Sequence, residues 1–237
     1  MPNVPWMRPL IVEDTPAVGD MLCDLVRELG HEPRLVATAE AALEALAADR
    51  PDAILLDIVL PGMTGLEFLQ QPMVRASQLP IVAISGLATE AQARECLRHG
   101  ALDFLTKPVP FDRLRTILAL IEVETQDPRS PWRRSPRASI RLAVHAGSAW
   151  EWTAIDLSPF GIKVPPQTVV SPGTTVMLSF TLPDGGPAIE VQAVLVRADR
   201  DGHLFSFVNL DEAPFRRLTT FLRRADVSGQ RASGNTR

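Results

Sequence analysis

The sequence predicts two domains of different class: a parallel α/β unit, then a small antiparallel β unit closed by a C-terminal helix. Three observations lead there. Up to about residue 124, short apolar runs alternate with longer Ala/Leu/Glu/Arg-rich runs of helical period. Past about residue 129, the runs are short and separated by Pro/Gly turns. Between them lies Arg129–Arg141, RSPWRRSPRASIR, with five arginines and no acid, more uncompensated charge than a bland linker needs. The expected boundaries are 8–124 for the first domain, 125–131 for a linker, 132–225 for the second domain and 226–237 for a disordered Ser/Gly/Arg/Asn-rich tail.

A length of 237 residues suits two domains of ordinary size. Hydrophobic content of 46% with 22% charged residues provides ample core for a soluble protein. A net charge of -4 argues against a surface devoted to nucleic acid and leaves room only for a local basic patch. Cys23 and Cys96 fall in expected helices far apart in sequence, as reduced thiols do. No run approaches the length of a membrane span, and MPNVPWMRPL lacks the pattern of a signal peptide. A cytoplasmic protein with no membrane insertion is expected.

Pro9-Leu10-Ile11-Val12 is a short apolar strand that ends abruptly in Glu13-Asp14. Pro16 opens a helix with apolar positions Val18, Met21, Leu22, Leu25, Val26 and Leu29, and Gly30 stops it. Leu35-Val36-Ala37 is a second strand, and Thr38 can cap a helix over Ala39–Asp49. Ala53-Ile54-Leu55-Leu56, apolar throughout as a strand buried on both faces should be, runs into Asp57. The turn Pro61-Gly62-Met63-Thr64-Gly65 leads into a helix over Leu66–Val74. Ile81-Val82-Ala83-Ile84 ends in Ser85-Gly86, and a helix over about Glu90–Arg98 follows. Ala101–Leu105 ends in Thr106-Lys107-Pro108, and Phe111–Glu122 is the last helix. Five β-α units with short connections form a parallel sheet covered on both faces.

Ligands of open α/β sheets bind beyond the carboxyl ends of the strands. Four of the five strands finish there in a functional group: Glu13 and Asp14, Asp57, Ser85, and Lys107. Singly, each has an ordinary explanation as an Asx turn, an acidic helix start or a simple turn. At four strand ends together they indicate one site. Three converging carboxylates would repel without a cation, and an oxygen-only set suits Mg²⁺ better than Zn²⁺. Asp57 is then the nucleophile toward a phosphoryl group, giving an aspartyl-phosphate. The metal and Lys107 would neutralise the phosphoryl oxygens, and Ser85 would donate a hydrogen bond to one of them.

LIVED at 10–14, ILLD at 54–57 with the following PGMTG turn, AISG at 83–86 and FLTKP at 104–108 resemble the receiver domain of two-component response regulators. The resemblance implies a flavodoxin-like (βα)₅ fold, with Asp57 phosphorylated by a histidine kinase or phosphotransfer protein. It further implies that Glu13, Asp14, Asp57 and the Val59 carbonyl hold Mg²⁺. Ser85 and Lys107 would sense the phosphoryl group, and Phe104 would be the aromatic switch residue. The helix around Cys96, the fifth strand and the last helix would form a face used to dimerise or to signal.

In the second half, Ala138–Ala146 and Trp150–Asp156 are strands joined at Gly147-Ser148, and Asp156–Gly161 is a polar-rimmed bend into Ile162-Lys163-Val164. Val176–Leu182 and Ile189–Asp199 form a hairpin, and His203–Val208 is a further strand. Pro214–Arg224 is amphipathic, with Phe215, Leu218, Phe221 and Leu222 on one face. Six short strands and a closing helix suggest a small antiparallel β-barrel. His145 and His203 have no companion ligands in sequence, and Trp150 and Trp152 share a face that suits packing.

Arg133 and Arg137 stand four apart, with Arg134 as neighbour, and Asp156-x-Ser158-x-x-Gly161 follows. Guanidinium groups grip phosphates and stack on purines, a carboxylate and a hydroxyl suit a guanine edge, and glycine admits close backbone approach. This pair of motifs resembles that of the PilZ domain, whose ligand is cyclic di-GMP. It implies that Arg133, Arg134 and Arg137 hold the nucleotide together with Asp156, Ser158 and Gly161. The function expected is a response regulator with two inputs, phosphorylation and cyclic di-GMP, and no enzymatic output domain. Its output would be a change of shape, of oligomeric state or of binding to a downstream protein. The alternative is a phosphorylation-gated adaptor whose barrel takes no nucleotide. Nucleic acid is not an expected partner, since no recognition helix is present.

Overall fold

The computed structural model describes residues 6–86, 90–125, 143–146, 150–166, 170–200, 202–208 and 210–233. The chain forms two compact units, Met1–Arg133 and Arg134–Arg237.

The first unit comprises β1 (Leu10–Val12), α1 (Pro16–Glu28), β2 (Arg34–Val36), α2 (Ala39–Ala48), β3 (Ile54–Asp57), α3 (Gly65–Gln70), α4 (Pro72–Ser77), β4 (Ile81–Ser85), α5 (Glu90–Arg98), β5 (Asp103–Thr106) and α6 (Phe111–Thr125). Its five strands pair in parallel in the order β2-β1-β3-β4-β5. Ile11, Ile54, Leu55, Leu56, Val82 and Ala83 are fully buried, which accounts for their uninterrupted apolar runs. Thr38 caps α2, its hydroxyl accepting from the Ala41 N–H at 3.1 Å. The register aligns Val12 with Leu56, Asp57 with Ile84 and Ser85 with Thr106, so the polar strand ends come side by side.

The helix expected over Leu66–Val74 is in fact two. Gln71 is the C-cap of α3 and the N-cap of α4, with φ -61° and ψ 134°. The cause is Pro72, which lacks an N–H and pushes the residue before it out of the helical region.

The second unit comprises β6 (Ala143–Ala146), β7 (Trp150–Thr153), β8 (Asp156–Ser158), β9 (Gly161–Val164), β10 (Thr175–Phe180), β11 (Ile189–Asp199), β12 (Gly202–Val208) and α7 (Glu212–Ser233). The strands form one antiparallel sheet in the order β7-β6-β10-β11-β12-β9-β8. In a flat sheet β7 and β12, four positions apart, would be separated by about 19 Å. Instead Trp152 on β7 stacks on Phe205 on β12 with ring centroids 5.4 Å apart. The sheet therefore curls around an aromatic core. Trp152 is a packing residue, in line with its expected role; the side chain of Trp150 lies outside the described residues. Phe215, Leu218 and Leu222 bury the inner face of α7, and Phe215 meets Phe160 at 5.8 Å.

Two expectations change here. The segment 150–156 is not one strand, and Asp156–Ser158 is not a bend: β8 is a strand of its own, giving seven strands among the described residues where six were expected. The Ile155 N–H donates to the Lys163 carbonyl at 2.8 Å and starts the β8–β9 pairing. The C-terminal helix does not stop at Arg224 but runs to Ser233, through most of the segment assigned to a disordered tail. That stretch contains no proline, and the one glycine, Gly229, weakens a helix by only about 1 kcal/mol.

Candidate functional site

In the first unit the strand ends assemble one compact charged cluster. The Lys107 ammonium bridges Glu13 Oε2 and Asp57 Oδ2, both at 2.6 Å. The other Asp57 oxygen, Oδ1, accepts the Val59 amide N–H at 2.9 Å, and Glu13 Oε1 accepts the Thr15 N–H at 3.3 Å. Glu13 and Asp57 are 2% and 4% exposed, so their charges are offset inside the protein, in part by Lys107, rather than by bulk water. Burial pushes the Glu13 carboxyl above its ordinary value, the Lys107 hydrogen bond opposes this, and neighbouring Asp57 raises it further. For Lys107 burial works against the ammonium, but hydrogen bonds to Asp57 and Glu13 outweigh it and hold the group above its ordinary range.

Carboxylate oxygens of Glu13, Asp14 and Asp57 all lie within 4.8 Å of one another, the one such grouping able to hold a metal among the described residues. Crowded hard-oxygen donors with a single ammonium between two of them suit Mg²⁺. Ser85 is fully buried and Phe104 is 4% exposed; the Lys107 amide donates to the Ser85 carbonyl at 2.9 Å and ties the two strand ends together. Val59 stands out from the surface, 51% exposed.

Sequence reasoning missed the devices that hold the loop after Asp57. A Cβ on Gly65 would sit 2.3 Å from the Asp57 carbonyl oxygen, so only glycine lets α3 start there. Glu40 Oε1 accepts the Met63 N–H at 3.0 Å. Thr64 and Glu67 form a reciprocal capping box, whose Thr-x-x-Glu signal was legible in the sequence. The Glu40 contact spans 23 positions and left no local signal.

In the second unit Asp156 and Ser158 stand opposite Lys163 and Gly161 in the β8–β9 ladder. Leu157 and Ile162 are buried in the core, so alternation puts Asp156, Ser158 and Lys163 on the outward face, all half-buried. The Ser158 hydroxyl donates to the Gly161 carbonyl at 3.1 Å. A Cβ at Gly161 would meet the Phe205 carbonyl oxygen at 2.4 Å, so packing of β9 on β12 already requires this glycine. Arg133, Arg134 and Arg137, and with them most of the expected 125–131 linker, lie outside the described residues. His145 is exposed and His203 buried, and neither joins a metal-binding grouping among the described residues. Cys23 and Cys96 are buried free thiols, and burial pushes Cys96 up to about 12.

Fold and motifs together define a two-domain signalling architecture. The "Response regulator receiver domain" family matches residues 10–119 and the "PilZ domain" family matches residues 127–224. The chain is thus a receiver domain followed by a PilZ domain, both of them signalling and binding modules, and the receiver is homologous to those of phosphorylation-regulated response regulators. Among curated proteins it is 38% identical over 105 residues to the regulatory protein LuxO of Vibrio cholerae, covering 44% of this chain and 23% of that one. It is 32% identical over 163 residues to the transcriptional regulatory protein BaeR of Escherichia coli, covering 64% and 63%. The receiver domain of a sensor histidine kinase from Pseudomonas aeruginosa, solved with magnesium in its active-site cleft, is 30% identical, with a TM-score of 0.45 over 50% of this chain and 99% of that one. The chain therefore spans about a quarter of the length of LuxO and less than two thirds of BaeR. Among the described residues no helix is long and apolar enough to cross a membrane.

Proposed function

We propose that this protein is a response regulator that accepts a phosphoryl group on Asp57 from a histidine kinase or phosphotransfer protein and binds cyclic di-GMP through its PilZ domain. The observation that carries the first half is the buried cluster in which Lys107 bridges Asp57 and Glu13 beside Asp14. An Asp57 carboxylate oxygen attacks the phosphorus of the phosphohistidine. The P–N bond breaks, its electron pair stays with the imidazole, and that ring takes up a proton. Lys107 faces the charge gained by the phosphoryl oxygens, and Ser85 donates a hydrogen bond to one of them. Glu13, Asp14, Asp57 and the Val59 carbonyl would hold Mg²⁺, which supplies charge neutralisation to the transferring group. Phe104, on the strand that ends in Lys107, is the residue we assign to follow movement of Ser85.

The second half is supported by Asp156 and Ser158 on one half-buried outward face, at the spacing of the PilZ motif. Arg133 and Arg137 would grip the phosphates of the nucleotide and stack on its guanines, with Arg134 as a neighbour. Output would pass to a downstream protein or to a homodimer formed through α5, β5 and α6, in the cytoplasm, where kinase and nucleotide are both available.

Two measurements test the reading. Mass spectrometry after incubation with acetyl phosphate and Mg²⁺ should find one phosphoryl group on the wild type and none on Asp57→Asn. Calorimetric titration with cyclic di-GMP should show binding that Arg137→Ala abolishes. A folded protein that takes phosphate but no nucleotide would instead be the phosphorylation-gated adaptor. Repeating the titration with beryllofluoride then asks whether the inputs are coupled; identical dissociation constants would rule coupling out.

A further inference from the structure

The outward face of the second sheet carries a cation that the motif does not name. Lys163 lies two residues past Gly161 and stands directly opposite Asp156 in the β8–β9 ladder. Directly opposed residues on one face have Cβ atoms about 5 Å apart. A ligand seated over Asp156 and Ser158 therefore lies within reach of a four-carbon stem from Lys163.

Lys163 is half-buried, yet among the described residues its ammonium makes no hydrogen bond or ion pair, even with the carboxylate across the ladder. The reason lies on the other side of β9. A Cβ at Gly202, on β12, would come 2.9 Å from Lys163 Cε and 3.3 Å from Cγ, so the stem is laid over the Gly202 backbone. Gly202 holds φ +140°, where a side chain is disfavoured in any case. Leaning toward β12 keeps the ammonium out of a pair with Asp156. Half-burial also removes part of its hydration, so an arriving anion has less water to displace.

The row across the sheet runs Asp156, Lys163, Leu204, Arg197, which places Lys163 beside the carboxylate within the sheet. A carboxylate suits the donor edge of a guanine but repels a phosphodiester. An anionic nucleotide bound there needs positive charge close to Asp156, and the sheet itself supplies it at Lys163.

We infer that Lys163 is a ligand-binding residue of this site, giving its ammonium to a phosphate of the nucleotide whose base meets Asp156 and Ser158. This rests on the cyclic di-GMP reading above. The test is calorimetric titration of the full-length chain with cyclic di-GMP for the wild type, Lys163→Met and Lys163→Arg. Met keeps the stem over Gly202 and removes the charge. It should weaken binding about 10- to 100-fold, the range for loss of a charge-assisted hydrogen bond. It should also flatten the dependence of affinity on salt, and Arg should restore most of the loss. Wild-type affinity and salt dependence in Lys163→Met would overturn the inference while leaving the nucleotide reading intact. The same holds for an Arg variant as weak as the Met one, since shape rather than charge would then matter. A folded wild type that takes no cyclic di-GMP removes the nucleotide reading and the role of Lys163 with it.

Discussion

The two candidate sites are built in opposite ways. In the receiver, Lys107 meets partners 94 and 50 positions away, and the two carboxylates it bridges are almost fully buried. In the PilZ unit, Asp156, Ser158, Gly161 and Lys163 fall within eight residues on the paired strands β8 and β9, on a half-exposed face. A buried site has to offset much of its own charge before any ligand arrives, because the interior solvates charge poorly. A half-buried face can keep an ammonium such as Lys163 apart from the carboxylate across the ladder, because enough water reaches that ammonium until the ligand comes. The charged groups of the first site are accordingly bound up with the stability of their domain, whereas in the second it is Gly161, packed on the Phe205 carbonyl, that ties the site to the fold.

The contrast can be broken at several points. The largest effect is expected at Asp103, whose Oδ2 accepts from Arg113 Nη2 at 2.8 Å with the two side chains 6% and 9% exposed. Asp103→Ala leaves a buried guanidinium without its carboxylate and should cost about 3–5 kcal/mol in urea unfolding of the receiver. A loss under about 1 kcal/mol would show that buried charge is not what holds this unit.

Next is Lys107→Met, expected to cost about 2 kcal/mol at neutral pH as Glu13 and Asp57 lose their shared ammonium. The pH dependence gives it a signature. Glu13 already sits above its ordinary 4.5, and the variant removes the contacts that lower it. A carboxyl raised in the folded state favours folding in its protonated form. Stability is then greatest below about pH 4.5 and falls as pH rises through the raised value. Unfolding curves across that window should fall more steeply for the variant than for the wild type; parallel curves would count against the bridge.

In the second unit, Gly161→Ala should cost about 1–3 kcal/mol, because β9 has to move off the Phe205 carbonyl to admit a methyl group. Asp156→Asn, which keeps the shape of this half-buried side chain, should cost less stability than Gly161→Ala while weakening nucleotide binding. Equal losses of stability in both variants would show that the carboxylate, and not only the glycine, is bound up with the fold of the second unit.

The smallest effect belongs to Asp184, whose two oxygens accept from Arg217 Nε at 2.8 Å and Nη2 at 2.6 Å. The Arg217 hydrogen bonds, helped by the Gly186 N–H, hold this carboxyl well below its ordinary 3.8. A depressed carboxyl stabilises the fold above its ordinary value, and that contribution is lost as pH falls through the depressed one. Thermal midpoints of wild type and Asp184→Asn should therefore differ slightly at neutral pH and converge in acid.

Much of the receiver was legible because its signals are local. An apolar run followed at once by Glu13-Asp14, Asp57, Ser85 or Lys107 marks both the strand and the end of it that carries chemistry. The split between α3 and α4 was equally local, with Pro72 in plain view, yet a run of helix formers on both sides concealed it. The β8 strand was hidden by Ser158, Pro159 and Gly161, residues that ordinarily mark turns and here bound a very short hairpin. In the tail, Ser, Gly and Arg composition suggested disorder, whereas the chain continues the helix that Phe215, Leu218 and Leu222 anchor.

By itself, the sequence determined which residues carry chemistry, in what order, and on which type of element, because residue type and period act over a few positions. Tertiary structure alone decided how charge is shared. It placed one ammonium between Glu13 and Asp57, curled the second sheet until Trp152 reached Phe205, and laid the Lys163 stem on Gly202 instead of against Asp156. These outcomes depend on distances between segments remote in the chain and on which groups lose their water, and neither quantity is encoded in a local pattern of residues.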